Sequence, residues 1–67
     1  MFKFGERLKE LRIERKISAK LLGKEINVSD STILRWENNQ MKPSVEYLYA
    51  LCTYFGVSAD YLIGLED

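Results

Sequence analysis

Four serines, Ser18, Ser29, Ser44 and Ser58, divide this chain into short lengths, each standing just before a stretch of helix-forming residues. A serine hydroxyl in that place accepts from the free N–H groups of the next turn and so starts a helix. Stop signals match the starts: Asn27, Gly56 and Gly64 are residue types that tolerate the left-handed conformation in which helices end. So punctuated, the chain reads as five short helices. The first spans about Phe4 to Lys16, with Phe4, Leu8 and Leu11 on one stripe and Ile17 following as an anchor. The second starts after the Ser18 cap and ends near Ile26, with Leu22 and Ile26 facing inward, and Val28 points inward after the Asn27 turn. The third opens at Ser29 and ends near Asn38 and Asn39. Pro43 extends the chain ahead of the fourth, where Glu46 sits in the first turn and Val45, Leu48, Leu51, Cys52 and Phe55 form a core stripe. Val57 packs beneath its stop, and the fifth covers about Ala59 to Ile63 with Asp60 in its first turn. No segment alternates with period two. The expected class is all-α, a compact five-helix bundle.

With 67 residues the chain is expected to be one domain, residues 1–67, near the lower limit at which a core folds without disulfide or metal. Its composition, 46% hydrophobic and 30% charged, is that of a folded globular protein. No apolar run approaches the roughly 20 residues that span a bilayer, and no signal-peptide core is visible, so a cytoplasmic location without membrane contact is expected. Cys52 is the only cysteine and histidine is absent. That excludes an intrachain disulfide and argues against a zinc cluster, leaving Cys52 as a small buried hydrophobe. Without histidine, a glycine-rich phosphate loop or paired carboxylates, the chain does not read as an enzyme. Neither cofactor, metal nor small-molecule ligand is expected.

Formal net charge is zero, but it is unevenly spread. Residues 1 to 42 hold all ten basic residues against six acidic ones, +4, and residues 43 to 67 carry −4. A polarised chain can present a positive face while its total stays neutral, which favours a polyanionic partner. Along the first helix alone, Glu6, Glu10 and Glu14 alternate with bases as an ordinary solvated face does.

The segment Asn27 to Asn39, N-V-S-D-S-T-I-L-R-W-E-N-N, is the most informative. After the Ser29 cap come the short polar residues Asp30, Ser31 and Thr32, then Ile33 and Trp36 at helical spacing with Arg35 and Asn38 beside them. A helix that opens on three short polar side chains suits a groove of hydrogen-bonding edges better than a packed neighbour. With the second helix and the turn it makes a helix-turn-helix unit. Four stretches, F-G-E-R-L-K-E-L-R, V-S-x-S-T-I-x-R-W-E-N, K-P-S and F-G-V-S-A-D-Y-L-I-G, lie at consistent spacing over residues 4 to 65. Together they resemble the phage-repressor (XRE-type, lambda-repressor-like) helix-turn-helix family.

The resemblance implies a sequence-specific transcriptional regulator, by expectation a repressor, whose third helix lies in the major groove of double-stranded DNA, the protein acting as a dimer. Carried over by position, Asp30, Ser31 and Arg35 fall where the family reaches base edges. Thr32 falls beside the adjoining phosphate, as do Ser18 and Ala19 at the start of the second helix. Asn38, Gln40 and Lys42 fall in the loop that grips the backbone across the groove. Arg12 and Glu37 match a pair that ties the first helix to the third, a structural role. Three positions depart from the pattern. Ala19 stands where the family usually has glutamine, removing a phosphate contact and a brace. Asp30 replaces a neutral or basic side chain; a carboxylate repels phosphate yet accepts from a cytosine N4 amine, narrowing sequence choice. Leu21 occupies an outward position that is commonly charged, either as an exposed singleton or within a contact patch.

Among the aromatics, Trp36 is expected as a half-buried wedge between the third and fourth helices rather than a stacking platform. Tyr47 and Tyr61 read as partly core. Tyr49 and Tyr54 are candidates for a surface that binds another subunit, so a homodimer through the C-terminal third is expected. That acidic, aromatic third also supports an alternative, a protein-binding module of antitoxin-like or anti-repressor kind with weak or lost DNA binding.

Overall fold

The computed structural model describes residues 1–66; Asp67, counted above among the C-terminal acids, lies outside the described residues. Five helices follow in order: α1 Phe4–Glu14, α2 Ala19–Ile26, α3 Asp30–Glu37, α4 Val45–Phe55 and α5 Ala59–Ile63. The all-α class and the helix-turn-helix of α2 and α3 agree with the sequence expectation. Among the described residues, no helix is long and apolar enough to cross a membrane.

The serine caps act as their chemistry dictates. Ser18, Ser29, Ser44 and Ser58 sit in extended backbone, and their hydroxyls accept from the N–H groups of Leu21, Thr32, Tyr47 and Tyr61. Asn27, Gly56 and Gly64 close α2, α4 and α5 at φ of 68°, 70° and 95°. α1 has no side-chain cap; instead, the N–H of Lys3 ahead of it donates to the Ile63 carbonyl at 3.0 Å and ties the chain's start to α5.

Every helix feeds one core. Phe4 and Leu8 of α1, Leu22 of α2, Ile33 and Trp36 of α3, Leu51 and Phe55 of α4 and Leu62 of α5 are buried together. Leu11, Ile17, Ile26 and Val28 pack against them, half-buried.

Several expectations are corrected. α1 stops at Glu14, short of Lys16, because Lys16 adopts φ 57°. This reversal swings Ile17 back onto the core, with its N–H bonded to the Arg12 carbonyl at 3.2 Å. Val45 is 80% exposed rather than core, since it occupies the first turn of α4 ahead of the point where that helix meets the bundle. Trp36 is no half-buried wedge. It is 2% exposed, edge-on to Phe4 of α1 at 6.2 Å and beside Tyr47 of α4 at 5.6 Å. Tyr47 covers it from outside and so stays on the surface. Tyr54 is half-buried, packed edge-on against Phe55 at 5.0 Å, and is less available to a partner than expected. Cys52 is half-buried rather than buried.

Candidate nucleic-acid interface

The turn between α2 and α3 sets how the two helices cross. Asn27 takes the left-handed conformation, and the Val28 N–H then donates to the Gly23 carbonyl at 2.8 Å. The two elements approach so closely that a Cβ on Gly23 would stand 2.5 Å from the Val28 carbonyl oxygen. Only glycine admits that approach. A second close approach fixes the other end of α3, where a Cβ on Gly5 of α1 would meet the Glu37 carbonyl oxygen at 2.6 Å. Neither glycine was singled out from the sequence, although each interrupts a run of better helix formers, which is a legible sign of close backbone contact.

α3 is held by one side and open on the other. Ile33, Trp36 and Glu37 face the core and are buried. The Glu37 carboxylate accepts two bonds from the Arg12 guanidinium, from Nε at 2.6 Å and from the second nitrogen at 3.0 Å. Arg12 also donates to the Ile17 carbonyl at 3.1 Å, so one guanidinium ties α1 to α3 and to the α1–α2 turn. The Glu37 hydrogen bond holds the Arg12 pKa above its ordinary value, against the desolvation that lowers it, so the fork stays charged.

On the opposite side, Asp30, Ser31 and Arg35 are all exposed. At about 100° per residue, Ser31, Arg35 and Asn38 point away from the core, with Asp30 and Leu34 on one flank and Thr32 on the other. The side chains of the first turn are partly committed. An Asp30 carboxylate oxygen accepts the Ser31 N–H at 2.9 Å, and the Thr32 hydroxyl lies 3.0 Å from that of Ser29. Leu34, 45% exposed on the same flank as Asp30, escaped the sequence reading. The stripe of Ile33, Trp36 and Glu37 was the available signal, since it leaves Leu34 pointing outward.

The remaining predicted residues flank that face. Ser18 is exposed, its hydroxyl used by the Leu21 N–H. Ala19 packs its methyl against the core, leaving its backbone N–H, which has no intrahelical acceptor, as its polar group there. Beyond α3 the chain reverses at Asn39, φ 59°, and the Gln40 N–H bonds the Arg35 carbonyl at 2.9 Å. That closure presents Asn38, Gln40 and Lys42 as an exposed loop. The Lys42 ammonium sits 5.5 Å from the centre of the Phe2 ring.

The structure also changes the meaning of the basic N-terminal part. Arg7 stacks over Tyr61 at 4.3 Å and donates to the Tyr61 carbonyl at 2.6 Å. Arg15 donates to the Phe55 carbonyl at 2.9 Å and lies 5.3 Å from the Phe55 ring centre. With Arg12, three arginines in or just after α1 therefore bind other parts of the chain, and the excess of +4 overstates the charge available to a polyanion.

A helix-turn-helix family model matches residues 8–62. The chain belongs to the XRE-type helix-turn-helix family. This helix-turn-helix domain is 39% identical over 59 residues to Repressor protein C2 of Salmonella phage P22, covering 88% of this chain and 27% of that one. It is 32% identical over 64 residues to the HTH-type transcriptional regulator YobD of Bacillus subtilis, covering 96% of this chain and 57% of that protein. The domain thus spans between about a quarter and just over half of the curated relatives it matches. Among solved structures, the P22 c2 repressor in complex with a synthetic operator superposes with a TM-score of 0.88 at 36% identity, over 94% of this chain and 96% of that one. A transcriptional regulator from Listeria innocua superposes at 0.93 with 30% identity, over 100% and 63% of the two chains.

Proposed function

We propose that residues 1–67 form a single DNA-binding domain of a cytoplasmic, sequence-specific transcriptional regulator, by preference a repressor, that is not an enzyme and needs no cofactor. One observation carries this reading. The outward face of α3 exposes Asp30, Ser31 and Arg35 together while Ile33, Trp36 and Glu37 hold its inner face, in a fold that superposes on a repressor bound to its operator. In this reading α3 enters the major groove. Asp30, Ser31 and Arg35 meet base edges, and Ser18, Ala19, Thr32, Asn38, Gln40 and Lys42 meet phosphates and set register.

Dimerisation belongs to the same proposal. An open apolar groove of about 450 Å³ lies between α4 and α5, lined by Leu48, Cys52, Val57 and Ala59, with the exposed Val45 and Tyr49 at its edge. A second copy of this chain covering that face would bring two third helices to half-sites about one helical turn apart, 34–36 Å. The same groove favours the second reading, in which a different protein occupies it and DNA contact is weak.

Selection of random duplexes by the purified protein tests the choice. Recovery of a two-fold-symmetric site supports the DNA reading. No enrichment at low salt, with a stable heterologous complex through α4 and α5, would replace it with the protein-binding reading.

A further inference from the structure

We propose that Leu34 is a further specificity-determining residue, one that reads the 5-methyl group of a thymine in the major groove. This rests on the DNA-binding reading of α3. Leu34 is 45% exposed, one turn after Asp30, one turn before Asn38 and next to Arg35, all exposed and polar. A side chain with neither donor nor acceptor, carried into a groove of hydrogen-bonding edges, gains only where it meets an apolar group. The base edges of the major groove offer one such group, the thymine methyl.

Selectivity has a repulsive half as well. A cytosine amine or guanine carbonyl beneath Leu34 would lose water without gaining a partner, which is costly. Leu34 therefore favours thymine both by burying its methyl and by penalising its competitors. One helical turn advances about 5.4 Å along the axis and a base step about 3.4 Å, which sets this thymine within about two steps of the base that Asp30 meets. Of the other exposed apolar side chains, Val45 and Tyr49 border the α4–α5 groove; Leu34 is the exposed apolar side chain of α3.

The test uses the selected duplex with each thymine replaced in turn by deoxyuridine, which removes the methyl and keeps every hydrogen-bonding group. Wild-type protein and Leu34→Ala are titrated against the series. One thymine per half-site should weaken wild-type binding about fourfold when demethylated, and L34A should bind both duplexes alike. Leu34 lies outside the core, so the variant should fold, and the wild-type arm needs no variant. Equal affinity of wild type for every uracil duplex, or an equal loss in both proteins, overturns the inference while sequence-selective binding stands. Binding with no sequence preference overturns the DNA reading and this inference together.

Discussion

The Val28 N–H donates to the Gly23 carbonyl, while the Val28 carbonyl oxygen leaves no room for a side chain on Gly23, where a Cβ would approach to 2.5 Å. One glycine thus fixes both the turn and the angle at which α3 leaves α2. Gly23→Ala should cost about 1–3 kcal/mol, because backbone and not a flexible side chain must yield. It should also lower DNA affinity at temperatures where the variant is fully folded, since α3 is displaced. Gly56→Ala is the contrast. Its position has φ 70° and nothing within 4 Å, so it should cost about 1–2 kcal/mol for the left-handed backbone alone and leave the angle between α2 and α3 unchanged. Thermal melts and titrations of both variants check this.

Arg12 and Glu37 should behave as a coupled unit. Their side chains are 14% and 3% exposed, and the fork makes two charge-assisted bonds. Glu37→Ala should lose about 1.5–3 kcal/mol, and Arg12→Lys should recover only part of the pair, since an ammonium lacks the planar fork. A double-mutant cycle with R12A and E37A should give a coupling energy well above the roughly 0.3–0.5 kcal/mol of additive sites.

Arg35→Ala and Lys42→Ala should separate reading from gripping. The first should cost about 1–3 kcal/mol on the preferred site and flatten sequence preference, the second should weaken all sequences alike. With roughly three to five phosphates neutralised per protomer, the slope of log affinity against log salt for the dimer should be on the order of −5 to −9. The engagement of Arg7, Arg12 and Arg15 by other parts of the chain keeps that slope from growing with the full basic count. Equal, sequence-independent losses in R35A and K42A would contradict the assigned roles.

Burial pushes the Cys52 thiol above its ordinary pKa, because the thiolate would lose hydration in the α4–α5 groove. Alkylation of the native protein at pH 8 should therefore be slower than of the urea-unfolded chain. A folded value above the unfolded one gives a contribution to stability that is complete below about pH 8.5 and lost as pH rises through the folded value. Cys52→Ala should accordingly flatten the alkaline side of the stability profile.

Much of the fold was legible because its signals act over a few residues. A serine hydroxyl reaches an N–H three residues on, and Asn27, Gly56 and Gly64 reverse the chain where they stand, so the bounds of α2, α4 and α5 follow from local chemistry. The exposed setting of Asp30, Ser31 and Arg35 follows from helical period once Ile33 and Trp36 are inward. Contacts between distant segments were not legible in this way. Arg15 finds the Phe55 carbonyl 40 residues away and Arg7 that of Tyr61 54 residues away, so arginines that read as solvated positive charge tie distant segments together. The full burial of Trp36, the exposure of Val45 and the reversal at Lys16 that seats Ile17 have the same origin. Sequence alone determined the helices, their order and the polar side of the third, because backbone hydrogen bonding at helix ends is local. Tertiary structure decided which charges stay free and which apolar faces stay open, because both depend on where remote segments come to rest.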